Sequence, residues 1–328
     1  MTPTDRIIQR DLMIEALAGR MAEDSSLFFL SADFGAPALD NLRNRFPDRF
    51  LNLGVAEQNT IGVAAGLALE GFKVIVYGIA TFISMRPFEQ IRTSLSLLAA
   101  NRAINVNIIS VGAGMSYDVS GPTHHCVEDL PLMRVLPNLE IFSPSDGGLI
   151  RMFVAGMLEE PYPKYIRLEG KAVEPVHNHL SEPDFRRGFR EVRKGGEVCL
   201  VATGFMTHRA LEVAETLAAQ GANPGVVDLF LLKGLDRTAL AKVLAGYETV
   251  VSLEEGYLGV GGIDALVCQV INPLANPPRL LSYGLPHGYN FERASREELH
   301  LAAGIDAPTV ARQLAHSLLA CQASAPVP

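Results

Sequence analysis

Cysteine is scarce and scattered. The four residues Cys126, Cys199, Cys268 and Cys321 stand far apart, with no Cys-x-x-Cys pair among them. That spacing excludes zinc knuckles and a disulfide framework, and reduced thiols fit an intracellular, cytoplasmic chain. Long hydrophobic runs are missing too. No uncharged stretch reaches the ~18 residues of a membrane span, and the opening MTPTDRIIQRDLMIEALAGR has no signal-type apolar core, so no membrane partner is expected. Positive charge is in deficit: 28 Lys and Arg against 36 Asp and Glu leave a net charge of −8. Broad phosphate-backbone binding is therefore disfavoured and no nucleic-acid partner is expected, although a local basic cluster could hold a small phosphate. Internal repeats and low-complexity tracts are absent. With 48% hydrophobic and 20% charged residues, a disordered or fibrous chain is ruled out. A length of 328 residues suits two domains.

Apolar, β-branched runs alternate with longer segments of helical period. LFFLS (27–31), KVIVY (73–77), INVNIISV (104–111) and KYIRL (164–168) read as buried strands, and 5–23, 56–71, 84–100 and 145–159 as packed helices. The alternation implies parallel strands with crossover helices. Residues 171–195 turn polar and proline-bearing, as a linker does. Beyond them come EVCLVATG, a helix over 207–220, GVVDLFLL, a helix over 236–245, TVVSLEE, a helix over 260–271 and a last helix over about 306–322. The expected fold class is α/β, two domains, each a mostly parallel sheet flanked by helices, over 1–185 and 190–328. SPSDGG (143–148) reads as a helix start capped by Ser143 or Ser145. LGVGGI (258–263) lacks the spacing of a dinucleotide loop and reads as close helix–strand packing.

The richest stretch is NLGVAEQNTIGVAAGLALEGFKVIVYGIATFISMRPFEQIR (52–92). Glu57 opens a helix rich in Ala, Gly and Val. It reads either as a first-turn glutamate facing the positive helix end or as a carboxylate in a tight apolar interface. In the second case it needs a proton or a nitrogen partner. The run Gly-Val-Ala-Glu-Gln-Asn, the small-residue helix, the strand and Ala-Thr-Phe together resemble the pyrimidine-binding domain of transketolases. GPTHH (121–125), LPLMRVLPNLEIFSPSD (130–146) and YIRLEGK (165–171) continue the resemblance in order. TGFMTHRALEVAETLAAQG (203–221) and ERASREELHLAAGI (292–305) resemble the third domain of transketolase and of 1-deoxyxylulose-5-phosphate synthase.

The resemblance implies thiamine diphosphate as cofactor, whose thiazolium carbon must lose a proton to become a nucleophile. Glu57 falls on the glutamate that engages the pyrimidine ring nitrogen. Phe82 and Phe88 fall where the family stacks aromatic rings around that pyrimidine, with Met85, a polarizable thioether, where a further aromatic is common. Without the motif these three would read as a core stripe. Asp33, in SADFG, matches a cofactor-side aspartate; alone it would read as a strand-to-turn residue bonding nearby backbone. His124 matches the histidine that faces the sugar and assists proton movement, while one of the pair His124 and His125 should be structural. The resemblance thus assigns catalysis to Glu57 and His124, cofactor contacts to Asp33, Glu57, Phe82, Met85 and Phe88, and substrate contacts to Arg10, His124 and Arg167. An arginine fork there would grip a phosphate, sulfonate or carboxylate. The alternative for either arginine is an ordinary surface or strand-end charge.

Departures bear on the substrate. Gly112 stands where transketolases carry a histidine at the phosphate end of the sugar, Ser120 where they carry an aspartate, and Pro37 where they carry a serine. Asp118 is placed to supply a carboxylate by another loop path. These changes point to modified sugars more than to standard sugar phosphates. No Gly-Asp-Gly occurs in the chain, so no metal ligands are assigned to it and Mg²⁺ would be held by a partner. The resulting expectation is the C-terminal, or beta, subunit of a split transketolase. It would transfer a two-carbon ketol unit with a separate diphosphate-binding subunit in an α₂β₂ assembly, its third domain serving assembly only. The rival readings are a 2-oxo acid dehydrogenase beta subunit, a fragment of 1-deoxyxylulose-5-phosphate synthase, and a non-catalytic scaffold of the same fold.

Overall fold

The computed structural model describes residues 7–323, with side chains to residue 318. Residues 5 and 6 of the expected first helix and the Cys321 side chain lie outside that range. The strands are β1 (Ile7–Ile8), β2 (Leu27–Ser31), β3 (Phe50–Asn52), β4 (Lys73–Ile79), β5 (Val106–Val111), β6 (Glu140–Phe142) and β7 (Lys164–Leu168), then β8 (Ala172–Val173), β9 (Phe189–Arg193), β10 (Val198–Ala202), β11 (Gly225–Leu229), β12 (Leu231–Lys233), β13 (Thr249–Tyr257) and β14 (Arg279–Leu285). They form a seven-stranded sheet in the order β12-β6-β7-β5-β4-β2-β3, a five-stranded sheet in the order β14-β13-β10-β11-β9, and the small pair β1-β8. In the two large sheets only β12 against β6 and β9 against β11 are antiparallel. The α/β class follows directly. Every residue of β5, β7, β10, β11 and β13 is buried, so their apolar residues do not follow the alternation of a half-exposed strand, and the polar ones they carry are buried too.

The helices depart from expectation where local chemistry intervenes. The segment read as one helix over 84–100 is broken at Pro87, which has no N–H to continue the ladder. Ala80–Met85 comes before it; Phe88–Gln90, a π-helical stretch Ile91–Leu97 and a 3₁₀ turn Leu98–Ala100 come after. The polar segment 171–195 is not irregular. It holds β8, a helix Glu182–Arg187 capped by Ser181 and ended by Gly188 at φ 80°, and β9. The helix Gly147–Gly156 is capped by Asp146, whose Oδ1 accepts from the Leu149 amide at 3.1 Å, and not by Ser143 or Ser145. The Ser145 hydroxyl instead donates to Asp228. No helix among the described residues is long and apolar enough to cross a membrane.

The two sheets share a continuous core. The main apolar cluster runs from Met13 and Phe29 through Phe142 and Phe185 to Val201, Val227 and Leu232, and β12, from the second half of the chain, completes the edge of the first sheet. A buried polar knot ties the same seam. Asp228, fully buried, accepts from Ser145 Oγ at 2.6 Å and Thr207 Oγ1 at 2.6 Å, and pairs with His177 Nε2 at 2.7 Å. Burial alone would lower the His177 pKa, but the hydrogen bond and charge of Asp228 outweigh it and raise the value. The stabilisation from protonated His177 is therefore complete below about pH 6.5 and is lost as pH rises through the raised pKa. Urea denaturation of the wild type and His177→Gln between about pH 6 and pH 8.5 should show the wild-type advantage shrinking as pH rises. Parallel profiles would contradict it.

Candidate active site

The loops that follow parallel strands collect at their carboxyl ends, where α/β sheets place their ligand sites. Glu57 is the first residue of the helix Glu57–Leu69, just past β3, and is only 6% exposed. Its carboxylate meets Arg86, with Oε1 2.5 Å from Nη1. The Arg86 guanidinium also lies over Phe82, its carbon 4.2 Å from the ring centroid. The far side of this group is His124, whose ring sits 5.3 Å from Phe82 in an edge-on contact. The Thr123 hydroxyl is 3.0 Å from His124 Nδ1. His125 turns inward: it is 5% exposed, with Nε2 3.0 Å from the Asp118 carbonyl.

An aromatic chain continues from His124 to Tyr117 at 6.5 Å, then to Phe34 at 6.5 Å and Tyr77 at 5.4 Å. Arg10 lies in the field of both tyrosines, with Nε 2.7 Å from Asp11, which holds its pKa up. Burial pushes the Tyr117 pKa up to about 12 and raises that of Tyr77. Both phenol oxygens are buried without a protein partner. Gly112, at φ +100°, runs directly under Tyr117, and a Cβ there would collide with the ring. The ring thus takes the space in which a side chain at position 112 would stand. Asp33, at φ 55°, is exposed at the rim and accepts from Asn52 Nδ2 at 2.8 Å. Met85 and Phe88 are half-buried on either side of the break at Pro87, Phe88 against the main core. Among the described residues no group of three or more His, Cys, Asp or Glu side chains is placed to hold a metal ion.

Residues 6–174 match the transketolase pyrimidine-binding domain and residues 188–310 the transketolase C-terminal domain. The chain belongs to the transketolase family. It is 31% identical over 302 residues to an apulose-4-phosphate transketolase subunit of Actinobacillus succinogenes, covering 92% of this chain and 95% of that one. A 6-deoxy-6-sulfo-D-fructose transketolase subunit of a Clostridium species (strain MSTE9) is 30% identical, covering 80% of each chain. The solved structure of a split-gene transketolase, described as an inactive beta4 tetramer, superposes with a TM-score of 0.83 at 32% identity, over 95% of this chain and 99% of that one.

Within this transketolase domain two residues expected near the substrate are held by protein partners. Arg167 is 6% exposed, its Nε 2.8 Å from Asp129 Oδ2 and its Nη2 3.2 Å from the Cys126 carbonyl, so two of its three nitrogens are held inside the protein. Asp118 is buried and committed to the Val119 and Arg296 amides at 2.8 and 2.9 Å and to Lys171. Sequence reading did not single out Arg86, Tyr117, Tyr77, Phe34 or Asn52. Arg86 carried a signal, since it follows Phe82 by one helical turn and i,i+4 neighbours share a face.

The stability of the buried Glu57 carboxylate depends on Arg86. Arg86→Met should lower the melting temperature by leaving Glu57 buried without a partner, and Glu57→Gln in the same chain should recover most of the loss. Because Arg86 is 45% exposed along its side chain, the coupling read from this double-mutant cycle should be about 1 kcal/mol. Strict additivity would contradict the pairing.

Proposed function

We propose that this chain is the C-terminal subunit of a thiamine-diphosphate-dependent transketolase that transfers a two-carbon ketol unit between sugars, with a separate subunit holding Mg²⁺ and the diphosphate. The observation that carries the reading is the pairing of Glu57 with a planar nitrogen cation placed over Phe82. A planar, nitrogen-bearing ring fits the same seat, with one edge on Glu57 and one face on Phe82. The bound cofactor would supply a carbon nucleophile for the ketol unit. Glu57, shielded from water, would hold a proton at a pyrimidine ring nitrogen. For that, Arg86 has to turn aside, which its half-exposed side chain permits. Phe82, Met85 and Phe88 would shape the apolar wall, and Asp33 with Asn52 the rim.

His124, across the Phe82 ring from Glu57, would move the proton of the sugar hydroxyl. Arg10, beside Tyr117, would receive the far end of the sugar. A guanidinium fork suits an anionic or hydroxylated terminus. Two relatives named for apulose-4-phosphate and 6-deoxy-6-sulfo-D-fructose support a modified sugar. The partner reading draws support from the exposed face beside Glu57. Val55 is 68% exposed there, and Gly62 and Gly66 present bare backbone on which a Cβ would touch nothing. An α₂β₂ assembly and a cytoplasmic setting complete the proposal.

Calorimetry with thiamine diphosphate and Mg²⁺ tests it. The chain alone should bind weakly or not at all, since it carries no Gly-Asp-Gly, and the chain mixed with its diphosphate-binding subunit should bind tightly. Tight binding to the chain alone would overturn the split reading.

A further inference from the structure

His124 stands on a loop that two residues of the second domain hold from beneath. The loop is closed at its base by the paired backbones of Gly114 and Cys126, which exchange hydrogen bonds at 3.0 and 2.8 Å. Within it, the His124 amide donates to the Gly121 carbonyl at 2.9 Å and His125 meets the Asp118 carbonyl at 3.0 Å. The conformation of His124 is therefore set by where Met115 and Asp118 are fixed. Both are fixed by the second domain. Glu255, at the end of β13, accepts from the Met115 amide at 3.3 Å, and a Cβ on Gly114 would collide with its carboxylate. Asp118 Oδ2 accepts from the Arg296 amide at 2.9 Å.

The two anchors are themselves locked together. The Arg296 guanidinium grips Glu255 with both prongs, Nε to Oε1 at 2.6 Å and Nη2 to Oε2, and reaches Glu169 at 2.6 Å with Nη1. Its guanidinium carbon lies 3.6 Å from the Phe205 ring centroid, and His300 Nε2 meets Glu255 Oε1, the oxygen that Arg296 Nε also holds. Arg296, Glu255, Glu169 and His300 are each no more than 5% exposed. For stability alone, apolar packing would serve such a seam as well or better, because burying ions costs several kcal/mol per ion by typical estimates. What a buried, directional charge cluster adds is a single docking geometry. We propose that Glu255 and Arg296 are positioning residues for His124, so that the second domain sets the geometry of the sugar-facing loop as well as serving assembly. The proposal rests on the transketolase reading of His124.

The test uses the full chain with its diphosphate-binding subunit and the substitution Glu169→Gln/Glu255→Leu/Arg296→Met, which removes the three charges of the cluster together. A cooperative melt establishes folding. Backbone hydrogen exchange over residues 113–125 should then quicken about tenfold or more, while kcat falls about 10²-fold, as for a misplaced reacting group, and KM moves by less than about threefold. Unchanged protection of the loop, or an unchanged kcat, in the folded variant would overturn the proposal. Should the triple variant not melt cooperatively, Arg296→Lys, which keeps the charge but not the fork, is judged by the same two readouts. Exchange is measured without sugar or cofactor, so it decides the clamp independently. Absence of ketol transfer by the wild type would count against the function alone.

Discussion

A carboxylate nearly shut off from water must be met by a proton or a positive nitrogen, and Glu57 is in that position. Its place at the start of a helix follows from the turn after β3, and its isolation follows from the apolar helix behind it and the Phe82 ring beside it. Arg86 meets the need in this chain by lying over that ring with one nitrogen on the carboxylate. In this arrangement the buried charge is neutralised, and the neutralising group has one foot in solvent. A fully buried partner would serve stability better and function worse, because it could not be displaced.

The second constraint is the seam between the two sheets. Apolar residues run through it without a break, yet two buried polar clusters interrupt them, one around Asp228 and one around Arg296. Charges at such cost register the halves against each other. The seven-stranded sheet also takes its outermost strand, β12, from beyond the polar segment that separates the halves. Removing the second half would strip β6 of a neighbour and open the shared core, so the halves act as one folded unit.

Legibility in the sequence tracked the length of each signal. LFFLS and KYIRL emerge residue for residue as β2 and β7, short runs dominated by aromatic and aliphatic side chains. The three-residue strands β3, β6 and β12 offer no period to detect. The expectation of one helix over 84–100 failed at Pro87, a breaker visible in the sequence. Glu57, Phe82 and His124 do converge, whereas Arg167 illustrates how an arginine near a motif can be spent on an interior aspartate. The clamp on the His124 loop was out of reach, because its contacts join residues 140 and 178 positions apart and no spacing encodes them.

The central claim is that Glu57 serves as an acid–base group toward a pyrimidine nitrogen and is not an ordinary helix-start glutamate. Exchange of the thiazolium C2 proton of thiamine diphosphate, followed by quenched NMR with the partner subunit present, tests it without knowledge of the sugar. Glu57→Gln keeps the size and most of the packing but cannot carry the proton. The account predicts that exchange slows by about 10²–10⁴-fold in that variant. Exchange at the wild-type rate in a variant that still binds the cofactor and the partner would contradict it.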